Sequence, residues 1–194
     1  MISTKLSLAD YFEVTAEVSP DESENRCEFV DGEIIEMPPE SSQNALISLF
    51  LLTQFLQLLP FWRLRRMDTE IIVADRVRVP DLLVLGEDLA RVLNQNRRGT
   101  ITPNMPAPLL VLEVVSPRKV NEDRDYRYKR SEYAARGILE YWIVDPGKAK
   151  VSVLTLIDGW YEVEGFEGDE VVKSPQFLEL SLTANQLLNP EGVG

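Results

Sequence analysis

Two short runs rich in β-branched and large apolar residues, Pro108 to Ser116 and Glu140 to Val144, flank a stretch of helical pattern from Asn121 to Arg136. Asn121 is placed to cap the start of that helix and Gly137 to close its end. Parallel strands cannot be joined by a tight turn, and a crossover helix connects them with a fixed hand. The pattern therefore predicts a strand–helix–strand unit, with Leu109 to Val115 parallel to Tyr141 to Val144 and the helix packed across one sheet face.

Further segments extend this unit. Thr69 to Ala74, Val77 to Leu85, Val151 to Ile157 and Trp160 to Val163 have the same strand composition, so six strands are expected in one main sheet. Asp158-Gly159 joins the last two as a hairpin, and Asp31-Gly32 joins CEFV to EIIEM in an N-terminal hairpin. Ser41 to Leu59 reads as a helix capped by Ser41 or Ser42, with an apolar stripe through Leu46, Leu49, Phe50, Thr53 and Leu56. Its apolar density predicts burial on more than one side. Shorter helices are expected from Ser7 and over Asp88 to Leu93, the latter inside a long polar connection, Glu87 to Ala107. The fold class is α/β (α+β): a mixed β-sheet flanked by helices, with an N-terminal and a C-terminal hairpin. The 194 residues fit one domain, 1–194.

Composition narrows the chemistry. No apolar run approaches the roughly 18 residues of a membrane span, and Met1 to Asp10 holds no apolar signal segment, so a cytoplasmic protein without membrane contact is expected. Cys27 is alone and there is no histidine, which excludes an internal disulfide and the usual zinc sites. Any bound metal is then a hard cation on carboxylates. The net charge of −12 argues against a non-specific nucleic-acid binder. Local exceptions are Arg118 to Arg136, with seven basic and four acidic residues, and the trio Arg63, Arg65 and Arg66. Both clusters read equally well as solvated faces.

Two acids sit where acids are costly. Glu113 lies inside LLVLEVVSP, and Asp81 opens the apolar run of VRVPDLLVL. Burying a carboxylate costs several kcal/mol unless a cation or donors compensate. For each acid alone, a buried salt bridge or backbone donors would suffice. Two acids on adjacent strands repel one another, and a divalent ion between them removes that repulsion. Mg2+, or Mn2+, suits a site of few carboxylates, water and a phosphate. On the following helix Asp125, Lys129 and Tyr133 are spaced i, i+4, i+8 and share a face. Lys129 could reach the Glu113 strand and stabilise charge on phosphate, with Asp125 and Tyr133 orienting it. Taken alone, that stripe reads equally as an exposed helix face carrying a surface ion pair.

The strings VPDLLVL, LLVLEVVSP and DYRYKRSEYAARGILEYWIVDP, preceded by CEFVDGEIIEMPPESS, together resemble the Uma-type restriction endonuclease family over about Leu8 to Leu188. The resemblance implies a PD-(D/E)xK nuclease-like core. Pro80-Asp81 would supply its PD pair and Glu113 its second acid, the two binding the metal. Val115 stands where the motif's lysine is expected, as is usual in this family, so Lys129 would take that role. Family members often carry a histidine near Ser41 to Asn44, where this chain has Gln43 and Asn44. Glu33 is an additional candidate acid, although a hairpin-exposed position suits it better.

The expectation is a divalent-metal-dependent phosphodiesterase acting on DNA or another nucleic acid, with Asp81, Glu113 and Lys129 at its centre. A second reading is a catalytically impaired nuclease fold serving as a binding or regulatory protein. A third is a homodimer module with Trp142, Trp160 and Tyr161 at its interface.

Overall fold

The computed structural model describes residues 5–17, 26–116 and 124–192, with 16, 17, 124 and 125 described by backbone alone. Helix α1 (Leu8–Glu17) precedes the hairpin β1 (Cys27–Val30) and β2 (Glu33–Glu36), followed by α2 (Ser42–Leu58). Four short strands come next: β3 (Leu64–Arg65), β4 (Glu70–Val73), β5 (Arg76–Arg78) and β6 (Leu82–Val84). Helix α3 (Glu87–Leu93) and β7 (Thr100–Ile101) lead to β8 (Leu110–Val114). After a wide helical turn at Arg124–Tyr128 come α4 (Lys129–Arg136), β9 (Glu140–Asp145), β10 (Lys150–Ile157), β11 (Trp160–Glu167) and α5 (Ala184–Leu188).

The strands form two mixed sheets rather than the single one expected. One has the order β2-β1-β5-β4-β7 and the other β11-β10-β9-β8-β6-β3. The difference arises at Pro80. The predicted strand Val77 to Leu85 is two strands, β5 and β6, lying in different sheets. Proline lacks an N–H for the ladder, which favours a strand break here. Asp81 consequently lies at the corner where the chain passes from one sheet to the other.

The strand–helix–strand unit is present as predicted. β8 and β9 are parallel, with Glu113 opposite Ile143, and α4 connects them. Gly137 ends α4 at φ 80°, and Ile138 N–H bonds back to the Tyr133 carbonyl, a six-residue closure that only a left-handed residue permits comfortably. The expected start at Asn121 lies outside the described residues. Both hairpins turn on Asp-Gly pairs with positive φ at each residue, 53° and 86° at Asp31-Gly32 and 49° and 83° at Asp158-Gly159.

Alternation along β8 divides the core. Leu110, Leu112 and Val114 pack towards α2 with Ile47, Leu51, Phe55 and Trp142. Val111 and Val115 point the other way and pack with Tyr133, Tyr141, Ile143 and Tyr161. Glu113 shares this second face, opposite α4. Helix α2 is capped by Ser41, which accepts the Asn44 N–H, but its buried stripe is Asn44, Ile47, Ser48, Leu51 and Phe55. The predicted stripe was out of phase: Leu46, Leu49 and Leu56 are 42–46% exposed. So many leucines flatten the periodic signal, and only the position of the sheet decides which face turns inward. Burial on more than one side is likewise corrected, since the fully buried positions share one face.

The homodimer surface drawn through three aromatic residues is also corrected. Trp142 is fully buried and Tyr161 is 5% exposed, leaving only Trp160, at 80%, on the surface. No helix among the described residues is long and apolar enough to cross a membrane.

Candidate active site

Asp81, Glu113 and Lys129 come from the sheet corner, the β8 strand and the first turn of α4, and all three line one narrow cleft. Its water-accessible space is about 30 Å3, and its wall also includes Arg26, Pro38, Glu40, Asn44 and Ser116. That is room for an ion and its immediate water rather than for a substrate base.

The Glu113 side chain is 4% exposed and its charge is met directly. Lys129 Nζ lies 2.8 Å from Glu113 Oε1, and the Tyr133 hydroxyl donates to the same oxygen at 2.8 Å. Lys129 is 1% exposed and Tyr133 fully buried, so the helix face expected to meet Glu113 does so, and the exposed-stripe alternative is excluded. Burial, aided by the Glu113 charge, holds the Tyr133 phenol well above its ordinary pKa, so it remains a donor. The Asp125 side chain lies outside the described residues.

Asp81 is oriented by the backbone. Its Oδ2 accepts Val114 N–H at 2.8 Å, and Arg26 Nη1 lies 3.7 Å from its Oδ1. The backbone bond fixes Asp81 to the end of the strand that carries Glu113, which couples the two acids geometrically. Asn44 reaches the same strand end, donating to the Val114 carbonyl and to Ser116 Oγ, both at 3.2 Å.

Four residues at this junction were not among the expected site residues. Glu28 of β1 is 1% exposed and lies 3.3 Å from Lys129 Nζ. Arg78 of β5 donates to Glu28 Oε2 at 2.8 Å and makes a two-pronged contact with Glu132 of α4 at 2.7 and 2.8 Å. Arg76 donates to Glu132 as well, at 2.6 Å. Three carboxylates, Glu28, Glu113 and Glu132, thus face three cations, Lys129, Arg78 and Arg76, across the junction of both sheets with α4. The sequence signal was available: Glu28 in CEFV and Arg78 in VRVP are charges within apolar strands, like Glu113. Glu33, the acid singled out on this hairpin, is exposed on β2 and does not line the cleft.

Among the described residues, most of the basic side chains of both clusters are engaged within the protein; Arg118, Lys119 and the Arg124 side chain lie outside them. Arg63 donates to the Leu85 carbonyl, Arg65 to those of Trp62 and Leu64, and Arg66 to Ser48 and Glu40. Arg130 and Arg136 donate to carbonyls of Tyr161 and Met105. Arg127 is exposed.

The donor set suits a hard cation. Asp81 and Glu113 offer carboxylate oxygens on one cleft, whose third acid, Glu40, is paired with Arg66, and among the described residues no group of three or more Asp, Glu, Cys or His side chains forms a metal cluster. Two carboxylates with remaining positions for water and phosphate fit Mg2+ or Mn2+ better than Ca2+, which takes six to eight oxygen ligands.

Comparison with known proteins bears on the fold and the family. A solved structure from Anabaena variabilis ATCC 29413, titled a "putative nuclease belonging to DUF820", superposes with a TM-score of 0.69 at 21% identity, covering 94% of this chain and 97% of that one. At that identity the likeness establishes the fold. No curated protein matches the chain. The Uma2 family model, described as "Putative restriction endonuclease", matches residues 8–185, and the chain belongs to that family.

Proposed function

We propose that this protein is a divalent-metal-dependent phosphodiesterase of the PD-(D/E)xK type acting on DNA or another nucleic acid. The observation that carries the reading is the meeting of Asp81, Glu113 and Lys129 on one cleft, from three different elements, with the ammonium bonded to the second acid. Asp81 and Glu113 would hold Mg2+ or Mn2+, which when bound polarises a phosphoryl oxygen and acidifies water.

The remaining work falls to the chain itself. Lys129 presents a buried ammonium, an N–H donor for a non-bridging phosphoryl oxygen or for the attacking water. Tyr133 holds the Glu113 carboxylate in place. The Val114 N–H holds Asp81 beside the strand that carries Glu113. Lys129 occupies the chemical role of a lysine two residues after Glu113, where this strand has Val115. A helix can supply it because catalysis requires an ammonium at a position in space rather than at a position in the chain.

The test is cleavage of plasmid and single-stranded DNA with Mg2+ or Mn2+, comparing wild type with Asp81→Ala and Glu113→Ala. Both variants are expected to be inactive. Activity surviving in both sinks the proposal.

A second reading, a nuclease fold kept for binding or regulation, is favoured by one observation: the buried carboxylates are already opposed by cations of the protein. Calorimetric titration with Mg2+ separates the two, since that scaffold has no need of the ion.

A further inference from the structure

Lys129 is shared between two sheets. Its ammonium lies 2.8 Å from Glu113 on β8 and 3.3 Å from Glu28 on β1, and all three side chains are nearly or fully buried. The ammonium and the Tyr133 hydroxyl meet Glu113 Oε1, and a divalent ion bound to the same carboxylate draws its charge away from the ammonium and repels it. A buried lysine whose carboxylate turns to a metal needs another anion beside it, or its charge is left uncompensated in the interior.

We propose that Glu28 is the positioning residue for Lys129: it retains the ammonium at the cleft when Glu113 is engaged by the metal. This inference rests on the reading of Asp81 and Glu113 as a divalent-metal site. The arrangement around Glu28 fits the role. Its Oε1 faces Lys129 while its Oε2 accepts Arg78 Nη1 at 2.8 Å, so the carboxylate is held by one cation and offered to another. Arg78 is in turn fixed by its two contacts with Glu132, one turn along α4 from Lys129. The lysine and the acid that positions it are therefore tied to the same helix through Arg78. The N-terminal hairpin, remote in sequence from the two metal-binding acids, becomes part of the active site through this contact.

The decisive experiment measures the acylation rate of Lys129 by a water-soluble amine-reactive reagent, read by peptide mass spectrometry. Glu113→Gln withdraws the competing charge without metal. In that variant Lys129 is expected to stay within about threefold of the wild-type rate, whereas in Glu28→Gln/Glu113→Gln it reacts at least about tenfold faster as the side chain opens to solvent. If the double variant shows no cooperative melt, Glu28→Asp in the Glu113→Gln background takes its place. It keeps a carboxylate in the buried pocket but draws it back by one methylene from the ammonium, and the same acceleration is expected.

Saturating Mn2+ should leave wild-type Lys129 protected and deprotect it in Glu28→Gln. In the DNA cleavage assay Glu28→Gln should lower kcat by about 10–100-fold with little change in KM, as for a misplaced catalytic group. Equal Lys129 reactivity in Glu113→Gln and the double variant overturns the proposal. Absence of a Mn2+ binding heat in wild type overturns the metal reading instead, and the metal-free comparison still decides the role of Glu28.

Discussion

Lys129 and Glu113 form a buried ion pair at 2.8 Å that joins the helix after β8 to β8 itself. The Tyr133 hydroxyl meets the same carboxylate oxygen one helical turn further on. The crossover that fixes the parallel pairing of β8 and β9 therefore also delivers the cation to the acid. Fold and site share one element.

Replacing Lys129 by Met removes the charge and leaves much of the side-chain volume. Two carboxylates, Glu113 and Glu28, then lose a buried cation, and stability is expected to fall by about 3–5 kcal/mol. Urea melts check that value. Cleavage by the folded fraction should fall by about 10²–10³-fold, the loss typical of one donor to a developing anion.

Asp81→Asn separates binding from folding. The asparagine oxygen can still accept Val114 N–H, so the sheet corner persists and stability should change by no more than about 1 kcal/mol. A carboxylate ligand is nevertheless gone. Calorimetry is expected to show Mg2+ and Mn2+ affinity weakened at least about tenfold, and a variant that binds as well as wild type would remove Asp81 from the metal site.

Tyr161 makes an alkaline prediction away from the metal site. Its hydroxyl donates to the Ile138 carbonyl at 2.7 Å, and burial raises its pKa above the ordinary 10.0. A raised folded-state pKa contributes stability that is fully present below the unfolded value and lost as pH rises through the folded one. Stability should therefore decline above pH 10.0, and Tyr161→Phe should make that decline shallower. Denaturant melts on both sides of this pH measure the slope. An unchanged slope would show that Tyr161 does not titrate differently on unfolding.

Arg78→Met tests the junction between the sheets. Glu28 and Glu132 would both lose a buried partner, and a cost of about 3–5 kcal/mol is expected in urea melts. Arg78 does not itself line the cleft and reaches the Asp81–Glu113 pair only through Glu28 and Lys129, so metal affinity in the folded fraction should change by less than about threefold.

Much of this was legible in the sequence, for identifiable reasons. Both Asp-Gly hairpins, the Gly137 stop and the parallel β8–β9 pair follow from local rules about positive φ and crossover length. Asp81 and Glu113 stood out because a charge inside an apolar strand demands compensation. The same signal at Glu28 is masked because a short hairpin strand suggests an exposed edge, whereas β1 lies inside a five-stranded sheet; Arg78 stands in a main-sheet strand, but its partners Glu28 and Glu132 lie far from it in sequence. The division into two sheets was hidden because Val77 to Leu85 has strand composition throughout, and only the ladder requirement at Pro80 interrupts it. For α2 the leucines encoded a helix but not its orientation, which depends on where Trp142 and Leu112 stand.

The most direct measurement is the anomalous diffraction of crystals soaked in Mn2+. One peak is expected in the cleft, about 2.0–2.2 Å from carboxylate oxygens of both Asp81 and Glu113, with the Lys129 ammonium facing the ion's water shell. A peak lying elsewhere, or a cleft still closed by the Lys129–Glu113 pair at saturating Mn2+, would contradict the assignment of these two acids to a metal-dependent active site.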